Sequence, residues 1–148
     1  MAEESTTITH PGAAMTCAEV DEYIAVGFPS NRASCIDIGP RHAVARLATD
    51  PALLRPGGII SGPTVFGACD VSMYFACFGA IGLEPMTLTS ELSIRFMRPA
   101  RGAALLARTD LHHVGRRSII GSIVAWIDRS PDAPVAVAQG TYVRPTAG

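Results

Sequence analysis

The chain has 148 residues, enough for one domain with a sizeable core and small for two. Charged residues make up 17% of it and the net charge is −1, which excludes the basic field that nucleic acid or an acidic membrane surface requires. The 48% hydrophobic content is rich for a monomer and predicts apolar surface covered by further copies of the chain.

In chain order, residues 1–15, opening on "MAEESTTITH", read as a loose polar arm without a signal-peptide or transit pattern. "TCAEVDEYIAVGF" predicts a short helix over 16–27. Thr16 is its N-cap, Glu19 completes a capping box, and Val20, Tyr23 and Ile24 form an apolar stripe that stops near Gly27, ahead of Pro29. "SCIDIGPRHAVARLAT" alternates loosely and reads as one extended segment bent at Gly39-Pro40, and "DPALLRPGG" as loop.

A longer helix is predicted over about 63–80, opened by "SGPT" and closed by Gly79 and Gly82. Its uncharged run of about 17 residues is interrupted by Asp70, too short and too broken to cross a bilayer. Four strand-like runs follow. In "TLTSELSIRFM", Leu88, Leu92, Ile94 and Phe96 alternate with Thr89, Glu91, Ser93 and Arg95. "AALLARTDLHH", "SIIGSIVAWID" and "PVAVAQGTYV" complete the set, and links as short as "RPARG", "VGRR" and "DRSPDA" predict antiparallel neighbours. The expected class is α+β, an antiparallel sheet burying its apolar face against the long helix, in a single domain over 1–148.

Asp70 stands out. Cys69, Val71, Met73, Tyr74 and Phe75 surround it, and an unpaired carboxylate costs several kcal/mol to bury. A general base or nucleophile in an apolar cleft would account for it. At the start of the same helix the N–H of Gly62, with no side chain in the way, could hold an oxyanion. Eight residues of helix separate the two, about 12 Å along the axis, so one carbonyl does not readily touch both groups of a single chain. Two helices antiparallel across a two-fold axis would bring Gly62 of one copy to Asp70 of the other, which predicts a dimer.

Other candidates are weaker. His112 and His113 are adjacent on a strand and point to opposite faces, so they cannot share a metal; His10 and His42 read as surface histidines. Ser61 lacks a nucleophile elbow. Cys17, Cys35, Cys69 and Cys77 show no ligand spacing and read as reduced thiols of a cytoplasmic protein.

"RPGGIISGPTVFGACDVSMYFA", "TSELSIRFMRPARG", "GRRS" and "AQGTYV" together resemble the hot-dog-fold acyl-CoA thioesterases of the phenylacetate-degradation type, over about residues 33–145. The resemblance implies a five-stranded antiparallel sheet wrapped around the central helix, dimers or dimers of dimers, and hydrolysis of an aryl- or fatty acyl-CoA thioester with neither metal nor cofactor. It implies that Asp70 is the catalytic carboxylate and Gly62 the oxyanion donor. Three departures stand against the family's motif: Ser61 for a histidine, Pro63 for a second glycine, and Arg55 for an asparagine. Ser61 would assist at the carbonyl. Phe66, Met73, Tyr74 and Phe78 are candidate walls of the acyl pocket. Among the turn arginines Arg98, Arg101, Arg116 and Arg117, the pair Arg116 and Arg117 is the choice for the phosphates of CoA. Two rivals remain: a hydratase or dehydratase in which His42 approaches Asp70, and a non-catalytic acyl-CoA-binding module.

Overall fold

The computed structural model describes residues 6–146. Thr16 caps the first helix, α1 (Cys17–Gly27), as its spacing predicts. Its side chain accepts the Glu19 N–H at 3.1 Å and Glu19 reaches back to the Thr16 N–H at 3.0 Å. Cys17, Val20 and Ile24 are the face it buries.

Residues 6–15 are not loose. Ile8–Thr9 (β1) runs parallel to Ser34–Ile38 (β2), the His10 N–H donates to Ile38 O at 2.8 Å, and the Ala14 N–H donates to Gly79 O at 2.8 Å. The free edge of β2 supplies the backbone partners that sequence periodicity cannot show. The first five residues of the expected arm lie outside the described residues. The bent extended segment is in fact a hairpin, β2 turning at Gly39–Arg41 into His42–Ala48 (β3). The expected loop holds a 3-10 turn, Pro51–Leu53, and a small ribbon of Leu54–Arg55 (β4) and Ile59–Ile60 (β5). Gly57 and Gly58, with φ of 90° and 70°, turn that ribbon in the left-handed region where only glycine is unstrained.

The long helix is α2 (Gly62–Ile81), with Ser61 as N-cap and Gly82, at φ 81°, ending it. Gly79 does not terminate it. A Cβ there would collide with the Gly39 carbonyl oxygen and lie 2.9 Å from Ile38 Cγ1, so this glycine lets the helix seat against the β2–β3 turn.

Leu88–Phe96 (β6), Ala104–Val114 (β7), Ser118–Ile127 (β8) and Ala136–Val143 (β9) join β1, β2 and β3 in one seven-stranded sheet, ordered β1-β2-β3-β7-β8-β9-β6. All its ladders except β1–β2 are antiparallel. β6 and β7 are not neighbours, despite the short link. Residues 97–103 run past the start of α2 instead of turning back: the Met97 N–H donates to Val135 O at 2.7 Å and the Ile60 N–H to Ala100 O at 2.8 Å. β6 therefore pairs with β9 and forms an edge.

Helix α2 packs against β2, β3, β6, β7, β8 and β9, so the sheet curls around it. Ser72, fully buried, donates to Cys69 O and shares a 2.7 Å hydrogen bond with Thr109 Oγ1 on β7, fixing the helix against the sheet. At 20 residues α2 is longer than its uncharged run and by length and composition could cross a membrane, but most of its surface is covered within the fold.

Candidate active site

One stripe of α2 escapes the sheet. Pro63, Phe66, Gly67, Asp70 and Tyr74 recur at helical spacing and are exposed or half-buried, whereas Val65, Ala68, Cys69, Val71, Ser72, Met73 and Phe75 are buried. Asp70 thus has a solvent-facing side that its apolar neighbours in sequence conceal.

Its carboxylate is held from the sheet. Thr89 Oγ1 on β6 donates to Asp70 Oδ1 at 2.7 Å, and the Tyr142 hydroxyl on β9 shares its one proton between Asp70 Oδ1 at 2.7 Å and the Asp70 backbone carbonyl at 2.9 Å. Oδ2 has no hydrogen-bond partner among the described residues. Tyr142 is 3% exposed, and burial together with the Asp70 charge pushes its phenol well above the ordinary value, so it is a neutral donor. Neither residue was singled out from sequence. Alternation places Thr89 on the opposite face from Leu92 and Ile94. A bulge between Thr89 and Glu91 reverses that parity, sets Thr89 opposite Tyr142, and turns both toward the helix. The only sequence trace of this is the tyrosine inside "AQGTYV".

Two clefts of about 340 and 350 Å³ meet at Phe28, Asp70, Tyr74 and Tyr142. The first continues past Asn31, Arg32 and Thr64, the second past Pro85 and Thr89. Tyr74 is fixed there by donating to Pro85 O at 2.9 Å. Cys69, next in sequence to Asp70, is fully buried, and burial followed by the Asp70 charge pushes its thiol up to about 12, which removes it as a nucleophile at neutral pH. No histidine lines either cleft; His42 instead bonds Asp37 at 2.7 Å, so the pairing that a hydratase would use is not formed.

Gly62, the first residue of α2, opens a third cleft of about 440 Å³ with Arg55, Val65, Phe96 and Arg98. The Ser61 hydroxyl takes the Thr64 N–H at 3.3 Å and bonds Thr64 Oγ1 at 2.9 Å, and Pro63 has no N–H to offer. The Gly62 N–H is left without an acceptor among the described residues. Ser61 is engaged as a cap. Gly62 and Asp70 of one chain share none of these clefts.

The remaining candidates divide. Phe66 lies on the uncovered stripe. Met73 is fully buried, its sulfur directed at Gly121 of β8, and Phe78 sits in the core between the rings of Tyr23 and Tyr74. Neither reaches the clefts. Arg116 and Arg117 are exposed at the β7–β8 turn, where Arg117 O accepts the Arg144 N–H at 2.8 Å. The arginines that do line clefts are Arg32 beside Asp70 and Arg55 and Arg98 beside Gly62.

Residues 57–133 match the family model of the thioesterase superfamily. Among solved structures, a Silicibacter protein assigned as a thioesterase superposes with a TM-score of 0.82 at 28% identity, covering 95% of this chain and 100% of its own. A conserved Pseudomonas aeruginosa protein follows at 0.73 and 26% identity, over 84% of this chain and 98% of its own. The Escherichia coli PaaI protein of the phenylacetic acid degradation operon shares the fold, at 0.68 and 22% identity over 86% and 91%. No curated protein matches this sequence.

Proposed function

The chain belongs to the thioesterase superfamily, and from that premise we propose that it hydrolyses the thioester of an acyl-CoA at a site built on Asp70. The observation that carries this is the carboxylate itself, oriented by two hydroxyls on Oδ1 and standing with Oδ2 unengaged where two clefts meet. Asp70 acts as general base. It takes a proton from water as the water oxygen bonds to the thioester carbonyl carbon. The oxyanion is held by a Gly62 N–H, the C–S bond then breaks, and the proton passes from Asp70 to the departing CoA thiolate.

The Gly62 that completes the site comes from a second copy. Within one chain it faces a different cleft, while the uncovered α2 stripe and the edge strand β6, with Leu88, Phe96 and the following Met97 about half exposed, give a two-fold partner a surface to cover. Phe66 and Tyr74 border the acyl group, and Arg116 and Arg117 take the CoA phosphates. The working state is a dimer or dimer of dimers in the cytoplasm, where the four free, buried cysteines stay reduced.

A panel of short-chain, long-chain and aryl-CoA thioesters tests the proposal. Wild type turns over at least one, and Asp70→Asn loses about 10²–10⁴-fold in kcat with KM nearly unchanged. Arg116→Ala and Arg117→Ala raise KM several-fold for the CoA ester and leave the acyl-pantetheine ester unaffected. Acyl-CoA binding without turnover across the panel would leave a binding module instead.

A further inference from the structure

On the outer face of the sheet, away from α2, three side chains distant in sequence converge. His10 follows β1, Asp37 lies in β2, and His42 begins β3. Asp37 reaches that face because of a bulge. Cys35 and Ile38 are both fully buried, and a register shift between Cys35 and Asp37 turns the aspartate outward between them. Both imidazoles aim Nε2 at the same oxygen, Asp37 Oδ1: His10 at 2.9 Å and His42 at 2.7 Å. The rings meet edge to face with centroids 4.9 Å apart.

The cluster has shape as well as composition. Gly39 leaves room for the His42 ring, since a Cβ there would lie 2.5 Å from its Cε1. His42 and Asp37 are mostly covered, at 17% and 21% side-chain exposure, while His10 at 42% is open to solvent and free to adjust. Asp110, the cross-strand partner of His42, adds nearby negative charge, balanced by Arg108, which binds its carboxylate with two 3.0 Å hydrogen bonds.

We propose that His10, Asp37 and His42 form a binding site for one divalent transition-metal ion of the zinc type. Two imidazole nitrogens and a carboxylate oxygen are the donor set such ions prefer, and all three atoms already lie within 4.8 Å of one another. Metal–ligand bonds of about 2.1 Å require tetrahedral ligands about 3.4 Å apart, so the two imidazole–carboxylate contacts, now 2.9 and 2.7 Å, lengthen by roughly 0.5–0.7 Å to admit the ion. Each neutral imidazole moves its proton from Nε2 to Nδ1, freeing the Nε2 lone pair, and a protonated one releases a proton to solvent. The bound ion ties residue 10 to the β2–β3 hairpin. Its place on the far face of the sheet separates it from the Asp70 chemistry.

The test is titration of untagged, full-length protein, stripped with chelator, by Co²⁺ followed by its visible d–d absorption and by Zn²⁺ in calorimetry. One ion per chain is expected, with a rise in thermal midpoint on adding Zn²⁺ that chelator reverses. His10→Ala, His42→Ala and Asp37→Asn each weaken binding at least tenfold, while His112→Ala and His113→Ala leave it unchanged. Since His10 is a third to a half exposed, His10→Ala keeps the fold and isolates the ligand effect. Absence of saturable binding, or binding that survives His10→Ala and His42→Ala, overturns the site and leaves a hydrogen-bonded clasp.

Discussion

The proposed chemistry turns on a single carboxylate whose environment is asymmetric. Asp70 Oδ1 receives Tyr142 and Thr89, and Oδ2 receives nothing from the described residues. Holding one oxygen fixes the plane of the carboxyl group and aims the other. The two hydroxyls are therefore positioning residues, and their loss belongs in kcat. Tyr142→Phe and Thr89→Val each lower kcat about tenfold with little change in KM, and Thr89→Ser restores it. A general loss of packing would instead lower thermal stability and leave Thr89→Ser no better than Thr89→Val. Asp70 and Gly62 were legible as candidates in the sequence because a charge inside an apolar helix and a glycine at a helix start are local signals. Tyr142 and Thr89 were not, since the parity reversal that aims Thr89 exists only in the pairing of β6 with β9. The same holds for Asp37, turned outward by its own bulge to meet two histidines 32 residues apart in the chain.

At the scale of elements, both helices follow from sequence. Capping residues, apolar spacing and a terminal glycine act within a few residues of one another, and α1 and α2 lie where those cues put them. Strand order is a different matter. A short link implies adjacency only when nothing intervenes, and residues 97–103 pass the start of α2 and place β6 beyond β9. Gly79 shows the same gap between local and tertiary reasons: a helix stop by sequence rule, it is a contact point between helix and turn in the fold. Gly79→Val forces α2 away from Gly39 and Ile38 and costs about 1–3 kcal/mol, read as a lowered midpoint in urea at unchanged slope. Gly67→Ala, where no atom of the same chain lies within 4 Å of a new Cβ, leaves the chain's own packing undisturbed and gains helix propensity. Equal stability of the Gly79 and Gly67 variants would mean that the helix has room at Gly79.

For the whole molecule, the apolar composition, the uncovered stripe of α2 and the unpaired edge of β6 are the features that a partner would cover. In our reading a second copy covers it, with the two α2 helices antiparallel, and the active site straddles the two-fold axis. Eight residues of helix separate Gly62 from Asp70, and the two open onto separate clefts of one chain. Complementation in mixed dimers is the decisive experiment for a shared site. Asp70→Asn removes the base, and Gly62→Pro removes the N–H at a first helical position, which accepts proline. Each variant alone is nearly inactive. Mixed and allowed to exchange subunits, they form hybrid dimers in which one site carries both changes and the other carries neither. Recovered thioester hydrolysis, approaching half the wild-type rate per hybrid dimer, is the expected result. A mixture that exchanges subunits, as shown by a mass tag on one variant, and stays as inactive as its parents would contradict it.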